Sequence, residues 1–139
     1  MSCSIPLRQR TRRGFTLVEL VVVVLILGIL AAVAAPKMFD TASAARENGS
    51  KQSLSVLRDA IELYKAQNGS YPAASSLTTD LQPFLKGPFP APQIGGNQNA
   101  TVAASTQDPI TSPESGTAGW AYNETTGQLV INDASYIAY

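Results

Sequence analysis

Histidine is absent from this 139-residue chain, and cysteine occurs once, at Cys3. The first absence removes the commonest general base, proton shuttle and zinc ligand. The second excludes an internal disulfide, a thiolate zinc site and a CxxC redox pair. Serine and threonine are abundant, yet no motif places a base beside one. An enzyme is therefore not expected, and no catalytic residue, metal ligand or cofactor is assigned. Charged residues make up only 14% of the chain, ten basic side chains against ten acidic. Their distribution is uneven: Arg8, Arg10, Arg12 and Arg13 all precede the first acid, Glu19. Beyond residue 14, six basic and ten acidic side chains remain, net −4 (6 − 10). Such a product has no basic face for a phosphate backbone, so nucleic acid is not expected as a main ligand.

What the chain does have is one long apolar run. Leu20 to Ala35 reads LVVVVLILGILAAVAA, without a polar side chain. Phe15 to Ala35 spans 21 residues. As a helix that is about 31 Å, close to the roughly 30 Å hydrocarbon core of a bilayer. Positive charge before it and little directly after it predict a cytoplasmic N-terminus, with everything beyond Pro36 on the other side. One residue does not fit an anchor. Glu19 opens the run, although a charge near the bilayer centre costs about 2.5–3.5 kcal/mol on insertion scales.

The helical pattern continues past the apolar run. Leu54, Leu57, Ile61 and Tyr64 recur at spacings of three and four, the stripe of an amphipathic helix. Glu47 with Lys51 and Arg58 with Glu62 are i,i+4 pairs on its polar side. Asn68-Gly69 is a stop signal, which predicts one helix from about Phe15 to Gln67. Pro36 predicts a kink or local melting within it, because proline lacks an amide proton and crowds the carbonyl of Ala32. Asp80 is expected to cap a short helix carrying Leu81, Phe84 and Leu85. Lys86 to Gly119 reads mostly as loop. "GWAYNETTGQLVIN" alternates around a turn and predicts a hairpin, with Trp120 and Tyr122 opposed by Leu129 and Ile131 and seated on the Leu54–Tyr64 stripe. Trp120 and Tyr122 are read as hairpin core rather than a ligand platform. The sequons beginning at Asn48, Asn68, Asn99 and Asn123 are read as chance. The fold class is α+β: a long N-terminal helix on a small C-terminal hairpin domain.

"RRGFTLVEL" followed by this apolar run resembles the leader and N-terminal helix of type IV pilins and the pseudopilins of type II secretion systems. The resemblance is specific over roughly residues 10–36 and architectural beyond. It implies cleavage between Gly14 and Phe15 by a prepilin peptidase, which also methylates the new N-terminus at Phe15. It places Glu19 fifth in the mature chain, as an assembly residue, and Pro36 at a position where the family often has a helix-breaking proline. The implied organisation is a leader over 1–14, a transmembrane and assembly helix over 15–36, the amphipathic half of the helix over 37–69, and a small pilin-like domain over 70–139. The implied function is a structural filament subunit supporting protein export. The implied partners are the prepilin peptidase, copies of the chain and other pseudopilins, the inner-membrane secretion platform, and membrane lipid. The expected location is the inner membrane, single-pass, with the C-terminal domain periplasmic, then a periplasmic filament.

"AQNGSYP" and the hairpin segment are similar to stretches of secretion pseudopilins. The chain departs from the major pseudopilin pattern in its acids: Asp108, Glu114, Glu124 and Asp133 lack the spacing of a calcium-binding loop. Two alternatives remain open. A type IV pilin for adhesion, motility or DNA uptake shares every N-terminal feature. A secreted soluble binding domain would follow if Ala32-Val33-Ala34 were a signal-peptidase site, although that puts Pro36 second in the product and Glu19 where the apolar region should begin.

Cleavage at Gly14 offers a reason for Glu19. The helix macrodipole favours an acid in the first turn by only about 0.3–1 kcal/mol, less than the membrane penalty. The freed α-amino group, with an intrinsic pKa of about 7.7–8.0, is a cation that can pair with the carboxylate of a neighbouring copy. A buried ionic pair of this kind specifies register more than it adds stability.

Overall fold

The computed structural model describes residues 14–139. In chain order these form helix α1 (Leu17–Asn68), helix α2 (Leu77–Asp80), a 3-10 turn (Gln82–Phe84) and strands β1 (Val102–Ala104), β2 (Trp120–Tyr122) and β3 (Leu129–Ile131). Two compact units divide after Asp40, and α1 contributes to both.

In the first unit α1 is apolar on every side from Leu20 to Ala35. Its large side chains from Leu17 to Val33 are all exposed, from 46% at Val22 to 78% at Leu17. None of the described residues covers any face of this segment, and it is long and apolar enough to cross a membrane. Pro36 lies inside α1, and the helical backbone continues past it.

In the second unit the stripe on α1 is buried. Leu54, Leu57, Ala60 and Ile61 form one core with Trp120, Tyr122, Leu129 and Ile131 of the sheet and with Leu77, Leu81 and Ile94. Full burial of a leucine such as Leu57 contributes about 1.5–3 kcal/mol. Tyr64 is half-buried at the edge of this core, with its ring against Phe84. α1 ends where the sequence predicts: Gly69 takes a positive φ of 79° and donates its amide to the carbonyl of Lys65.

The hairpin has the expected register, with Trp120 opposite Ile131 and Tyr122 opposite Leu129, antiparallel. Side chains alternate across it. Trp120 and Tyr122 face α1, whereas Ala121 and Val130 pack with Ile110 in a smaller cluster behind the sheet. Asn123 builds the turn, accepting the amides of Thr125 and Thr126 on its side-chain oxygen. Gly127 closes it at a φ of 76°.

Two expectations are corrected. Residues 86–119 contain a strand: β1 pairs in parallel with β2, Val102 opposite Trp120. Three small residues between turns carry no detectable period, and their pairing is imposed by β2. Asp80 does not start a helix either; it ends α2, and its carboxylate accepts the Ser76 hydroxyl at 2.6 Å. The residues after it form a 3-10 turn with Pro83 near its start.

Candidate functional site

The start of α1 is built by a reciprocal pair of side chains. Thr16 directly precedes the helix and Glu19 sits in its first turn. The Thr16 amide and hydroxyl both donate to Glu19 Oε2, each at 2.9 Å, and the Glu19 amide donates to Thr16 Oγ1 at 3.2 Å. This is a capping box, which satisfies two amides at a helix start that have no partner within the helix. Sequence reasoning singled out Glu19 and missed Thr16. The signal was the T-x-x-E spacing of Thr16 and Glu19.

The box has two consequences. It fixes the first turn at Leu17, so Gly14 and Phe15 remain outside the helix as exposed, irregular chain. Phe15 is 85% exposed. It also holds the Glu19 carboxylate in one orientation through Oε2. The arginines at 8, 10, 12 and 13 lie outside the described residues.

The acids of the second unit do not converge. Among the described residues no three of His, Cys, Asp or Glu are grouped as metal ligands. Glu124 accepts the Ala74 amide, and Asp133 accepts those of Gly96 and Ser135. The Ser135 and Gly96 amides hold the Asp133 carboxyl below its ordinary range. Side-chain amides organise the loop between β1 and β2. Gln107 Oε1 accepts from Thr111 and Ser112, and Asn123 Nδ2 donates to the Gln107 carbonyl at 2.7 Å. Asn132 accepts the Glu114 amide and donates to the carbonyls of Glu114 and Ala118.

One polar face of α1 holds the C-terminal segment. The Arg58 guanidinium donates to the main-chain oxygens of Leu129 and Tyr139, and partial burial lowers its pKa. Lys51 pairs with Glu47 at 2.9 Å and places its ammonium 3.9 Å from the centre of the Tyr139 ring. A cavity of about 380 Å³ opens beside them, lined by Leu54, Ser55 and Asp59 as well.

Residues 9–35 match the family described as the prokaryotic N-terminal methylation motif. The chain is similar to the type II secretion system core protein G of Pseudomonas aeruginosa, 34% identical over 87 residues, or 63% of this chain and 59% of that protein. To the protein of the same name from Dickeya chrysanthemi it is 29% identical over 102 residues, 73% of this chain and 65% of that one. To the Escherichia coli protein it is 30% identical over 88 residues, 63% and 58% respectively. The chain thus spans about three fifths of the length of the curated relatives it matches. No solved structure matches it.

Proposed function

We propose, for a chain that belongs to the type IV pilin and type II secretion pseudopilin family, that it is a structural subunit of a type II secretion filament. The observation that carries this reading is the N-terminal arrangement: an exposed, irregular Gly14-Phe15 peptide, a capped Glu19, and a helix that is apolar on every side from Leu20 to Ala35. The N-terminal methylation motif over residues 9–35 and the similarity to type II secretion core proteins G support the same reading. Its role is mechanical rather than enzymatic.

The chain enters the inner membrane with Arg8, Arg10, Arg12 and Arg13 on the cytoplasmic side and the second unit in the periplasm. A prepilin peptidase cuts between Gly14 and Phe15 and methylates the Phe15 nitrogen. The processed helix waits in lipid, then joins other copies, and the apolar surface from Leu20 to Ala35 becomes the core of a periplasmic fibre. Glu19 meets the Phe15 ammonium of a neighbour there, which sets the axial stagger. The secretion platform in the inner membrane delivers the subunits.

Deletion of the gene separates this reading from a surface pilus. Exported proteins should accumulate in the periplasm and be released again when the chain is supplied from a plasmid. Normal export combined with lost surface fibres or motility would assign the chain to the pilins instead.

A further inference from the structure

α1 does not become polar as soon as its apolar run ends. Lys37 follows Pro36, and Met38 and Phe39 come next, 72% and 75% exposed. These are large apolar side chains that none of the described residues covers, at the end of a segment that is likewise uncovered among them. The rise of the helix decides what meets them. From Leu17 to Phe39 is 22 residue steps, about 33 Å at 1.5 Å per residue. The hydrocarbon core of a bilayer is about 30 Å thick, and the headgroup layers extend the whole to about 40–45 Å. With Leu17 at the inner edge of the core, Phe39 stands about 3 Å past the outer edge, within the headgroup layer. Lys37 lies about half a turn away and about 3 Å nearer the core, at its outer edge, with an aliphatic stem that can stay in the acyl region while its ammonium reaches phosphate.

We propose that Lys37, Met38 and Phe39 form an interfacial collar that seats the helix at the outer headgroup layer of the membrane. The proposal rests on the membrane-spanning reading of α1 and adds a depth to it. The collar's partner is phospholipid, with phosphate for Lys37 and the acyl–headgroup boundary for Met38 and Phe39. Its consequence is a defined waiting position. Exposed apolar surface next to the periplasm would otherwise face water, and burying it in lipid opposes both sliding and premature extraction.

Spin-label depth measurement tests this on the full processed chain. Its only cysteine, Cys3, leaves with residues 1–14, so a nitroxide can be placed singly at Phe39→Cys, Ile26→Cys or Val56→Cys. The chains are reconstituted at low density in vesicles of phosphatidylethanolamine and phosphatidylglycerol. Collision rates with oxygen and with a water-soluble nickel complex are compared. The label at 26 should meet oxygen and exclude nickel, the label at 56 should show the reverse, and the label at 39 should lie between them, within a few ångströms of the phosphate level. A label at 39 as nickel-accessible as that at 56, with 26 still deep, overturns the collar and leaves the membrane reading standing. A label at 39 shielded from both reagents overturns it in favour of contact between copies. Nickel access at 26 overturns the membrane reading itself.

Discussion

The hydroxyl of Tyr139 donates a 2.6 Å hydrogen bond to Glu47 Oε1, joining residues 92 positions apart. The same oxygen accepts from Lys51. This bond ties the C-terminal segment to the beginning of the packed part of α1. The Tyr139 hydroxyl, then Lys51, hold the Glu47 carboxyl below its ordinary value of 4.5. The Glu47 bond raises Tyr139 above its ordinary 10.0.

The pH behaviour follows from those directions. A carboxylate with a lowered folded pKa contributes stability above its unfolded value and loses it as pH falls through the folded one. A phenol with a raised folded pKa contributes below its unfolded value and loses it as pH rises. The bond is therefore expected to hold between about pH 5 and pH 9. Protection factors of the amides at residues 136–139, with the intrinsic pH dependence of exchange divided out, should fall severalfold below pH 4 and, at neutral pH, in Tyr139→Phe. Unchanged protection in Tyr139→Phe would show that Arg58 and packing hold the segment without Glu47.

Glycines with positive φ give a second, graded prediction. Gly69 has open space where a Cβ would sit, whereas at Gly127 that atom would run into the Tyr71 ring. Gly69→Ala should cost about 1–2 kcal/mol for the left-handed backbone alone. Gly127→Ala should cost that plus about 1–3 kcal/mol of overpacking. Urea unfolding of the second unit measures both, and equal losses would contradict the close approach of Tyr71 to the turn.

A chain shortened to begin at Lys37 retains every buried core residue from Ser50 to Ile131. It should be a soluble monomer whose melting midpoint is the same in chelator and in calcium. The loop between β1 and β2 is organised by Gln107, Asn123 and Asn132 rather than by converging acids. A calcium-dependent rise of many degrees would mean that Asp108, Glu114, Glu124 or Asp133 gather around an ion.

Processing can be read by intact mass of the membrane-extracted protein. Loss of Met1–Gly14 with one added methyl on Phe15 is expected. A mature chain starting at Ala35 would favour signal peptidase and the secreted soluble domain.

Much of the fold was legible because it rests on strong periods. The three- and four-residue spacing from Leu54 to Tyr64 and the alternation around Asn123–Gly127 each had one physical solution, and the two surfaces meet in a single core. β1 was not legible, since Val102–Ala104 has neither length nor alternation and owes its conformation to hydrogen bonds from β2. The short helix was displaced because Ser76 and Asp80 can each serve a helix end. Only packing of Leu77 and Leu81 decides between them. At the N-terminus Glu19 stood out as a charge in an apolar run. Thr16 did not, because a threonine there costs nothing and needs no explanation.

The capping box sharpens the measurement that bears most directly on the assembly role. Glu19→Val removes both the charge and the cap, whereas Glu19→Gln can keep the cap, since glutamine serves the same position. Loss of one member of a buried ion pair costs about 3–5 kcal/mol, a factor of several hundred or more per contact at 1.4 kcal/mol per tenfold. Both variants should insert and be processed to the same extent as the parent, because losing the cap frays the first turn and does not extend the helix over Gly14 and Phe15. Fibres sheared from cells at matched levels of processed protein should be absent in Glu19→Val and reduced in Glu19→Gln. If both variants form fibres as abundantly as the parent, Glu19 only caps its own helix and the stagger is set elsewhere.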